Sequence, residues 1–136
     1  MTLQNKDRLS LIKYRLIQAE ETVSDVELLI ANNRYRSAVN RIYYGMFYAL
    51  LALAVAESFE TSKHIQLIGW FNKNFIRKGS IDIRYGKMIN KAFNRRTKGD
   101  YDTYIDFPNE VLTEMFKDMQ LFIAEIQRVL NRYSER

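Results

Sequence analysis

Apolar residues recur every three or four positions at both ends of the chain. Near the N-terminus this spacing runs through Leu9, Ile12, Leu16, Ala19, Val23, Val26 and Ile30. Near the C-terminus it runs through Leu112, Met115, Met119, Phe122, Ile126, Val129 and Tyr133. Residues three and four apart lie on one face of an α-helix, so each set predicts a long helix with one buried stripe. Two such helices are typical partners in an antiparallel bundle.

A second helix is expected directly after the first. Asn32 and Asn33 are good capping residues, so the first helix should end there. The next runs from about 34 to 57 and is apolar nearly all round from Ile42 onward. A helix that is apolar on every side lies in the middle of a bundle or between two subunits. Part of 42–56 is therefore expected to lie in a two-fold interface.

Two shorter helices are expected before the last one. The third spans about 63–78, with Ser62 as a plausible N-cap and Gly79 as the residue after its end. Its inward residues are Ile65, Ile68, Phe71 and Phe75. The fourth spans about 82–96, residues 97–107 form a loop, and Pro108 opens the last helix. The sequence thus predicts a single domain, residues 1–136, with an all-α fold: an up-and-down antiparallel bundle of about five helices.

Composition excludes several classes of function. The chain has no cysteine and a single histidine, so disulfides, thiol chemistry and a protein-bound transition metal are not expected. No Gly-rich phosphate loop or zinc-protease motif occurs, and no cofactor is expected. The longest apolar run has eleven residues, too few to span a membrane. The N-terminus lacks the apolar core of a signal peptide, which indicates a cytoplasmic location.

Positive charge is concentrated in the middle of the chain. The net charge is +5, yet residues 63–98 hold ten Lys or Arg and one acid, a local balance of +9. On the fourth helix these cations fall at steps of three or four and form what we call the basic ridge: Arg84, Lys87, Lys91, Arg95 and Lys98. Such asymmetry favours a polyanion such as RNA as partner. A solvated helix face is the alternative.

Two polar residues in apolar surroundings are candidate ligand-binding residues. His64 is either a helix-start residue or a general acid/base or phosphate ligand, helped by Lys63. Arg41 enters a nearly all-apolar helix beside Tyr44, so it needs an acidic partner or a bound anion. Asp100 is the expected partner of Arg41.

Four short motifs occur in order and carry a family resemblance. The first, A-x-x-R-x-Y-Y-x-x-F-x-A-L, comprises Ala38, Arg41, Tyr43, Tyr44, Phe47, Ala49 and Leu50. It is followed by S-x-H at 62–64, F-x-x-x-F at 71–75, and R-x-x-G-D-Y at Arg96, Gly99, Asp100 and Tyr101. Together they resemble the HEPN domain (higher eukaryotes and prokaryotes nucleotide-binding), in its branch of small stand-alone prokaryotic proteins. The resemblance covers about 34–130.

The resemblance implies a helical bundle that often forms a homodimer. It also implies a minimal nucleotidyltransferase as protein partner, in a toxin–antitoxin pair, and metal-independent ribonuclease activity in the active toxins. Their usual motif, an Arg followed by four to six residues and a His, is absent, since the nearest arginine before His64 is Arg41. Catalysis is therefore an open question, with Arg96, Asp100 and His64 as candidates.

The expected function is binding of a nucleotide or RNA, in a toxin-type, ribonuclease-like protein. The expected phosphate-binding residues are Arg41, Tyr44, Lys63, His64, Arg96, Asp100 and Tyr101. A polar network that pins the 97–107 loop would give the same residues, and a non-catalytic bundle that binds a protein partner is the alternative function.

Overall fold

Five α-helices build the molecule, in a computed structural model that describes residues 5–101 and 107–134. They are α1 (Asn5–Ala31), α2 (Tyr35–Ala56), α3 (His64–Phe71), α4 (Ile83–Tyr101) and α5 (Asn109–Ser134). A π-helical turn, Asn72–Ile76, continues α3. The described ranges contain no β-strand. The all-α bundle predicted from the sequence is confirmed.

Helix α2 occupies the centre of the bundle and packs against α1, α4 and α5. Its close approach to two neighbours depends on Gly45, where a Cβ would overlap Met119 of α5 and press on Thr22 of α1. It is the one described helix long and apolar enough to cross a bilayer, but 67% of that apolar window is buried inside the bundle. This burial is what the core helix of a soluble protein shows.

Most of the apolar surface of α2 is covered within one chain. Twelve of its 22 residues are buried, so the bundle covers more of 42–56 than the sequence suggests. A strip at helical spacing stays half-exposed and comprises Tyr44, Tyr48, Leu51 and Val55. The homodimer stays a prediction.

The end of α1 agrees with the sequence, but its first turn does not. Asn33 adopts a left-handed backbone (φ 59°) and Asn32 Nδ2 donates to the Leu28 carbonyl at 2.7 Å, so the asparagines end α1 as predicted. At the other end, Leu9 is 60% exposed although the stripe placed it inside. Arg8 is more buried than Leu9. The first turn of α1 is thus rotated relative to the apolar pattern.

Two predictions about α3 are wrong. Lys63, not Ser62, occupies the N-cap position, and its backbone N–H donates to Thr61 Oγ1 at 3.2 Å. Ile65 is 74% exposed, whereas Ile68, Phe71 and Phe75 are buried as expected. Because the buried face of this short helix starts at His64 and continues through Leu67 and Ile68, Ile65 falls on the opposite side. Gly79 follows the π turn with φ 78°, a conformation that favours glycine.

Helix α4 is longer than the sequence predicts. It continues to Tyr101, so the loop expected at 97–107 is wrong for its first five residues, and 102–106 lie outside the described residues. Gly99 does not turn the chain but is buried within the helix, where a Cβ would lie 3.4 Å from the Phe107 ring. Packing on Phe107 outweighs the weak helix propensity of glycine, which is about 1 kcal/mol.

Candidate functional site

A buried tyrosine on α2 holds the single histidine. Tyr43 is fully buried, and its hydroxyl lies 2.6 Å from Nδ1 of His64, the first residue of α3. Phe47, one turn further along α2, stacks on the imidazole with ring centroids 4.0 Å apart and planes 7° apart. Residues four apart lie on one helix face, so α2 supplies both contacts from a single side. The imidazole is therefore fixed in position and in plane.

The surroundings of His64 keep its ring neutral near pH 7. Burial lowers the pKa of His64, and the positive charge of Arg96 lowers it further. Burial raises the pKa of Tyr43, although Arg96 opposes that change, so the phenol stays protonated. In either tautomer of the neutral imidazole, Nδ1 is engaged with Tyr43. Nε2 makes no hydrogen bond within residues 5–101 and 107–134, so it is the nitrogen available to a ligand.

Arg96 of α4 reaches the same cluster from the other side. Its Nη2 donates to the Tyr44 hydroxyl at 3.1 Å, and its guanidinium carbon lies 5.7 Å and 5.4 Å from the ring centroids of Tyr43 and Tyr44. Asp100 lies one turn further along α4, with its Oδ2 3.0 Å from Arg96 Nε. That Nε is buried and its N–H is not aimed at an acceptor, so the pair is an ionic contact without a well-formed hydrogen bond.

Arg41 does not pair with Asp100, so that prediction is wrong. Arg41 Nε and Nη2 lie 3.2 Å and 3.0 Å from Oδ1 of its neighbour Asn40, and its guanidinium carbon lies 4.8 Å from the Tyr44 ring centroid. Asp100 pairs with Arg96 instead because the two are four residues apart on one helix. The Tyr44 ring, rather than a carboxylate, lies between the two arginines.

The remaining predicted phosphate ligands are Lys63 and Tyr101. Lys63 is exposed, and its side chain makes no hydrogen bond or ion pair to any described residue. It precedes His64 directly in the chain. Tyr101 ends α4, and its side chain lies outside the described residues. The structure thus brings together Arg41, Tyr44, His64, Arg96 and Asp100.

The basic ridge exists as one face of α4, but neighbouring residues engage part of it. Four of its members are exposed and Arg95 is half-buried. Arg95 and Lys91 lie near Asp118 of α5: burial and Glu114 raise the pKa of that carboxyl, and these two cations act against the rise. Arg84 stacks on the Tyr85 ring at 4.9 Å. Lys87 and Lys98 are left as the ridge residues most open to a polyanion.

The sequence marked Tyr43 and Phe47 only as members of a family motif, and their contacts with His64 were not predicted. The sequence places these residues on one helix and His64 after a connection of seven residues, 57–63. Their spacing of four was the available signal, because it places both rings on one face of α2. In the part of the chain that the structure describes, no three His, Asp or Glu side chains come together as a metal site would require.

Comparison with known proteins agrees with the motifs and the bundle. The family model for the HEPN domain matches residues 12–129. The chain belongs to the HEPN domain family. We use the name His64–Arg96 cluster for Arg41, Tyr43, Tyr44, Phe47, His64, Arg96 and Asp100. All seven lie within the residues that the family model matches.

Three curated proteins illustrate where this HEPN chain lies within the family. It is 34% identical over 120 residues to a UPF0332 protein of Thermotoga maritima, covering 88% of this chain and 91% of that protein. It is 35% identical over 129 residues to a protein of Methanocaldococcus jannaschii named as a candidate toxin, covering 94% and 95%. A second candidate toxin of that archaeon is 31% identical over 113 residues, covering 83% and 77%. Two of these three relatives therefore carry toxin names.

Proposed function

We propose that this HEPN protein binds a phosphate group of RNA at the His64–Arg96 cluster and cleaves the chain there without a metal. The observation that carries the proposal is the meeting of His64 and Arg96 on the rings of Tyr43 and Tyr44. The chain lacks the Arg-to-His spacing of the usual ribonuclease motif, but the fold supplies an arginine beside the histidine from another helix.

The chemistry of the cluster suits phosphoryl transfer from a ribose hydroxyl. In the tautomer whose Nδ1–H donates to the Tyr43 hydroxyl, Nε2 of a neutral His64 has a free lone pair, and it accepts the 2′-hydroxyl proton while the 2′-oxygen bonds to phosphorus. The bond from phosphorus to the 5′-oxygen breaks, and the protonated imidazole returns the proton to that leaving oxygen. Arg96, whose Nε lacks a well-formed hydrogen bond, stabilises the negative charge on the phosphate oxygens. The products are a cyclic phosphate end and a free 5′-hydroxyl, so atoms and charge balance.

The protein partner and the assembly that we propose are those typical of the HEPN family. Two relatives carry toxin names, and a toxin needs a neutralising protein, so a nucleotidyltransferase-type antitoxin is the proposed protein partner. A homodimer is the proposed assembly. We also propose a cytoplasmic location, where RNA and such a partner are both present.

Cleavage and binding of a single-stranded RNA oligonucleotide test the site. We expect the wild-type chain to bind and cleave it in EDTA, and His64→Asn and Arg96→Gln to lower the cleavage rate at least a hundredfold. Lys117→Gln removes one exposed charge from α5 and serves as the control. Absence of cleavage by the wild type, with binding retained, would reduce the proposal to an RNA-binding protein. Absence of salt-dependent binding at low ionic strength would show that RNA is not a ligand of this protein.

The basic ridge is tested by the salt dependence of the same binding. Each contact between a cation and a single-stranded phosphate contributes about 0.7 to the slope of log affinity against log salt. Replacing both Lys87 and Lys98 with glutamine should therefore lower that slope by about 1.4. An unchanged slope would show that RNA does not lie on α4.

A non-catalytic interaction protein is the second candidate, because α1 exposes large apolar side chains. Tyr14, Ile17 and Leu28 are 55%, 49% and 65% exposed and lie on one side of the helix. Adjacency of the gene to a nucleotidyltransferase gene favours the toxin proposal, and a soluble partner captured only when these three side chains are intact favours the alternative.

A further inference from the structure

A second concave site begins on α2 at Leu51, about one helical turn beyond Phe47 of the His64–Arg96 cluster. It is a groove of about 510 Å³ between α1, the C-terminal end of α2 and the connection to α3. The cluster defined above contributes none of its lining residues. Ligand sites for small molecules typically have volumes of about 300–1,000 Å³, so the groove is large enough for one.

Two arginines of α1 line this groove on the inner side of the helix. Arg8 and Arg15 are seven residues apart and so lie on the same face. Arg8 occupies the inward place that the apolar pattern assigned to Leu9, which is exposed instead. The helix thus turns a charge inward and a leucine outward. Burial of apolar surface alone would favour the reverse.

Among the described residues, neither arginine has the anionic partner that a half-buried position calls for. Arg8 Nε is buried and has no hydrogen-bond acceptor in the described part of the chain. Arg15 Nη1 donates to Gln18 Oε1 at 2.8 Å, which is a neutral acceptor. Glu60 lines the groove but forms no ion pair with either arginine. A buried donor without an acceptor destabilises the fold, so its presence indicates a ligand that supplies one.

The groove also has an apolar part, and contacts outside the groove fix the position of Phe59 within it. The apolar part of the lining includes Leu51 and Val55 of α2, Leu11 of α1 and the Phe59 ring. The Phe59 ring stacks on Trp70 with centroids 4.9 Å apart. Its backbone N–H donates to the Ala54 carbonyl at 2.8 Å, which fixes the turn. Hydroxyl groups of Ser58 and Thr61 lie at the rim.

We propose that this groove binds a small organic anion with a flat apolar body. Its charged group lies between Arg8 and Arg15, and its body lies on Leu51, Val55 and Phe59. Arginine forms its strongest hydrogen bonds to carboxylate, phosphate and sulfonate oxygens, so any of these groups satisfies the donors. The site is separate from the RNA site, and neither depends on the other.

Two fluorescent probes that share one aromatic body test the need for charge. Anilinonaphthalene sulfonate carries an anion, and phenylnaphthylamine is the same ring system without it. We expect the full-length protein to bind one sulfonate probe per chain at least tenfold more tightly than the neutral probe, since one charge-assisted hydrogen bond is sufficient for that ratio. Equal affinities, or no saturable binding of the sulfonate, would overturn the proposal.

Glutamine variants locate the binding to the two arginines. Arg8→Gln and Arg15→Gln should each lower the affinity for the sulfonate probe about tenfold and leave the affinity for the neutral probe unchanged. Lys13→Gln is the matched control, because Lys13 lies on the exposed side of the same helix. A loss in Lys13→Gln equal to that in Arg8→Gln would show general charge attraction and would overturn the site.

Displacement of the bound probe identifies the anionic group. Naphthyl phosphate and naphthalene acetate share a ring and differ in whether the anion is phosphate or carboxylate. Competition by either supports the site and names its preferred group, and failure of both to compete overturns it.

Thermal melting distinguishes a ligand site from a structural role for Arg8. A half-buried guanidinium that awaits a ligand is not needed by the fold, so Arg8→Met should melt at the same temperature as the wild type or higher. A clear fall in melting temperature would show that Arg8 stabilises the bundle itself, and the proposal would fail.

Discussion

The hydroxyl of Tyr43 and Nδ1 of His64 lie 2.6 Å apart, and this short hydrogen bond joins the core helix to the start of α3. Because Tyr43 is fully buried, the bond positions His64 from within the core rather than from a mobile surface residue. Tyr43→Phe keeps the ring and removes the bond, leaving Nδ1 without its partner. We expect a loss of about 1–3 kcal/mol in the free energy of unfolding. Urea unfolding measures it.

Tyr35→Phe is the matched control for that experiment. The Tyr35 hydroxyl donates to Asn33 Oδ1 at 3.0 Å in an exposed position. Removal of this hydroxyl should therefore change the free energy of unfolding by less than about 0.5 kcal/mol. Equal losses in the two variants would show that burial of the Tyr43–His64 pair contributes nothing.

The lowered pKa of His64 makes stability depend on pH. The folded protein holds the proton less tightly than the unfolded chain, whose histidine titrates near its ordinary value of 6.5. Below that pH the unfolded state binds more protons, so the free energy of unfolding falls as the pH falls. The free energy of unfolding of the wild type minus that of His64→Gln should therefore be constant above pH 7. It should decrease as the pH falls from 6.5 to the pKa of His64 in the folded protein. Urea unfolding across pH 5–8 tests this sign, and a difference that grows at low pH contradicts it.

Asp118 should act in the opposite direction. Burial and Glu114 raise the pKa of its carboxyl despite Lys91 and Arg95, so the folded state disfavours the charged form. Its contribution to stability is present at low pH and lost as the pH rises through the folded pKa. Asp118→Asn should therefore melt at a slightly higher temperature than the wild type at pH 7, and the gain should vanish below pH 4. A fall in melting temperature at pH 7 would show that its attraction to the ridge cations dominates.

The pair of Asp100 with Arg96 should contribute little to stability. It joins neighbours on one helix, and both side chains are partly open to water, at 21% and 32% exposure. Exposed pairs at this spacing contribute about 0.3–0.5 kcal/mol, which is the loss we expect for Asp100→Asn. RNA affinity should hold or rise because a competing carboxylate is gone. Thermal melts with and without RNA check both, and a large fall in melting temperature without an RNA effect would make the contact structural.

Two glycines should respond to alanine in opposite ways. At Gly45 a Cβ would displace the flexible end of Met119 and press on the buried Thr22 side chain, so Gly45→Ala should destabilise the bundle slightly, by up to about 1 kcal/mol. At Gly69 in α3 nothing lies within 4 Å, so Gly69→Ala should stabilise it by about 1 kcal/mol through helix propensity. Urea unfolding of both variants checks the pair. Stabilisation by Gly45→Ala would mean that α2 and α5 do not pack this closely.

Local patterns in the sequence were sufficient to predict the bundle. Residues three and four apart share a helix face whatever surrounds them, so the stripes of α1 and α5 and the continuous apolar character of α2 were readable directly. The asparagines after α1 and the glycine at position 79 have local conformational preferences, and both ended their segments as expected. The composition likewise indicated a protein without thiol chemistry.

Tertiary packing decided which polar residues meet. Local spacing cannot show that Tyr43 lies against His64, or that Arg96 lies on Tyr44, because those contacts depend on how three helices stack. The same reason explains the errors: Gly99 stays helical because Phe107 packs on it, and Asp100 pairs within its own helix rather than with Arg41. Arg8 faces inward because the rotation of α1 is set by its neighbours and not by its own apolar pattern. The sequence determined that the chain folds into helices and most of their buried faces, and packing between the helices determined the rotation of α1, the length of α4 and the site.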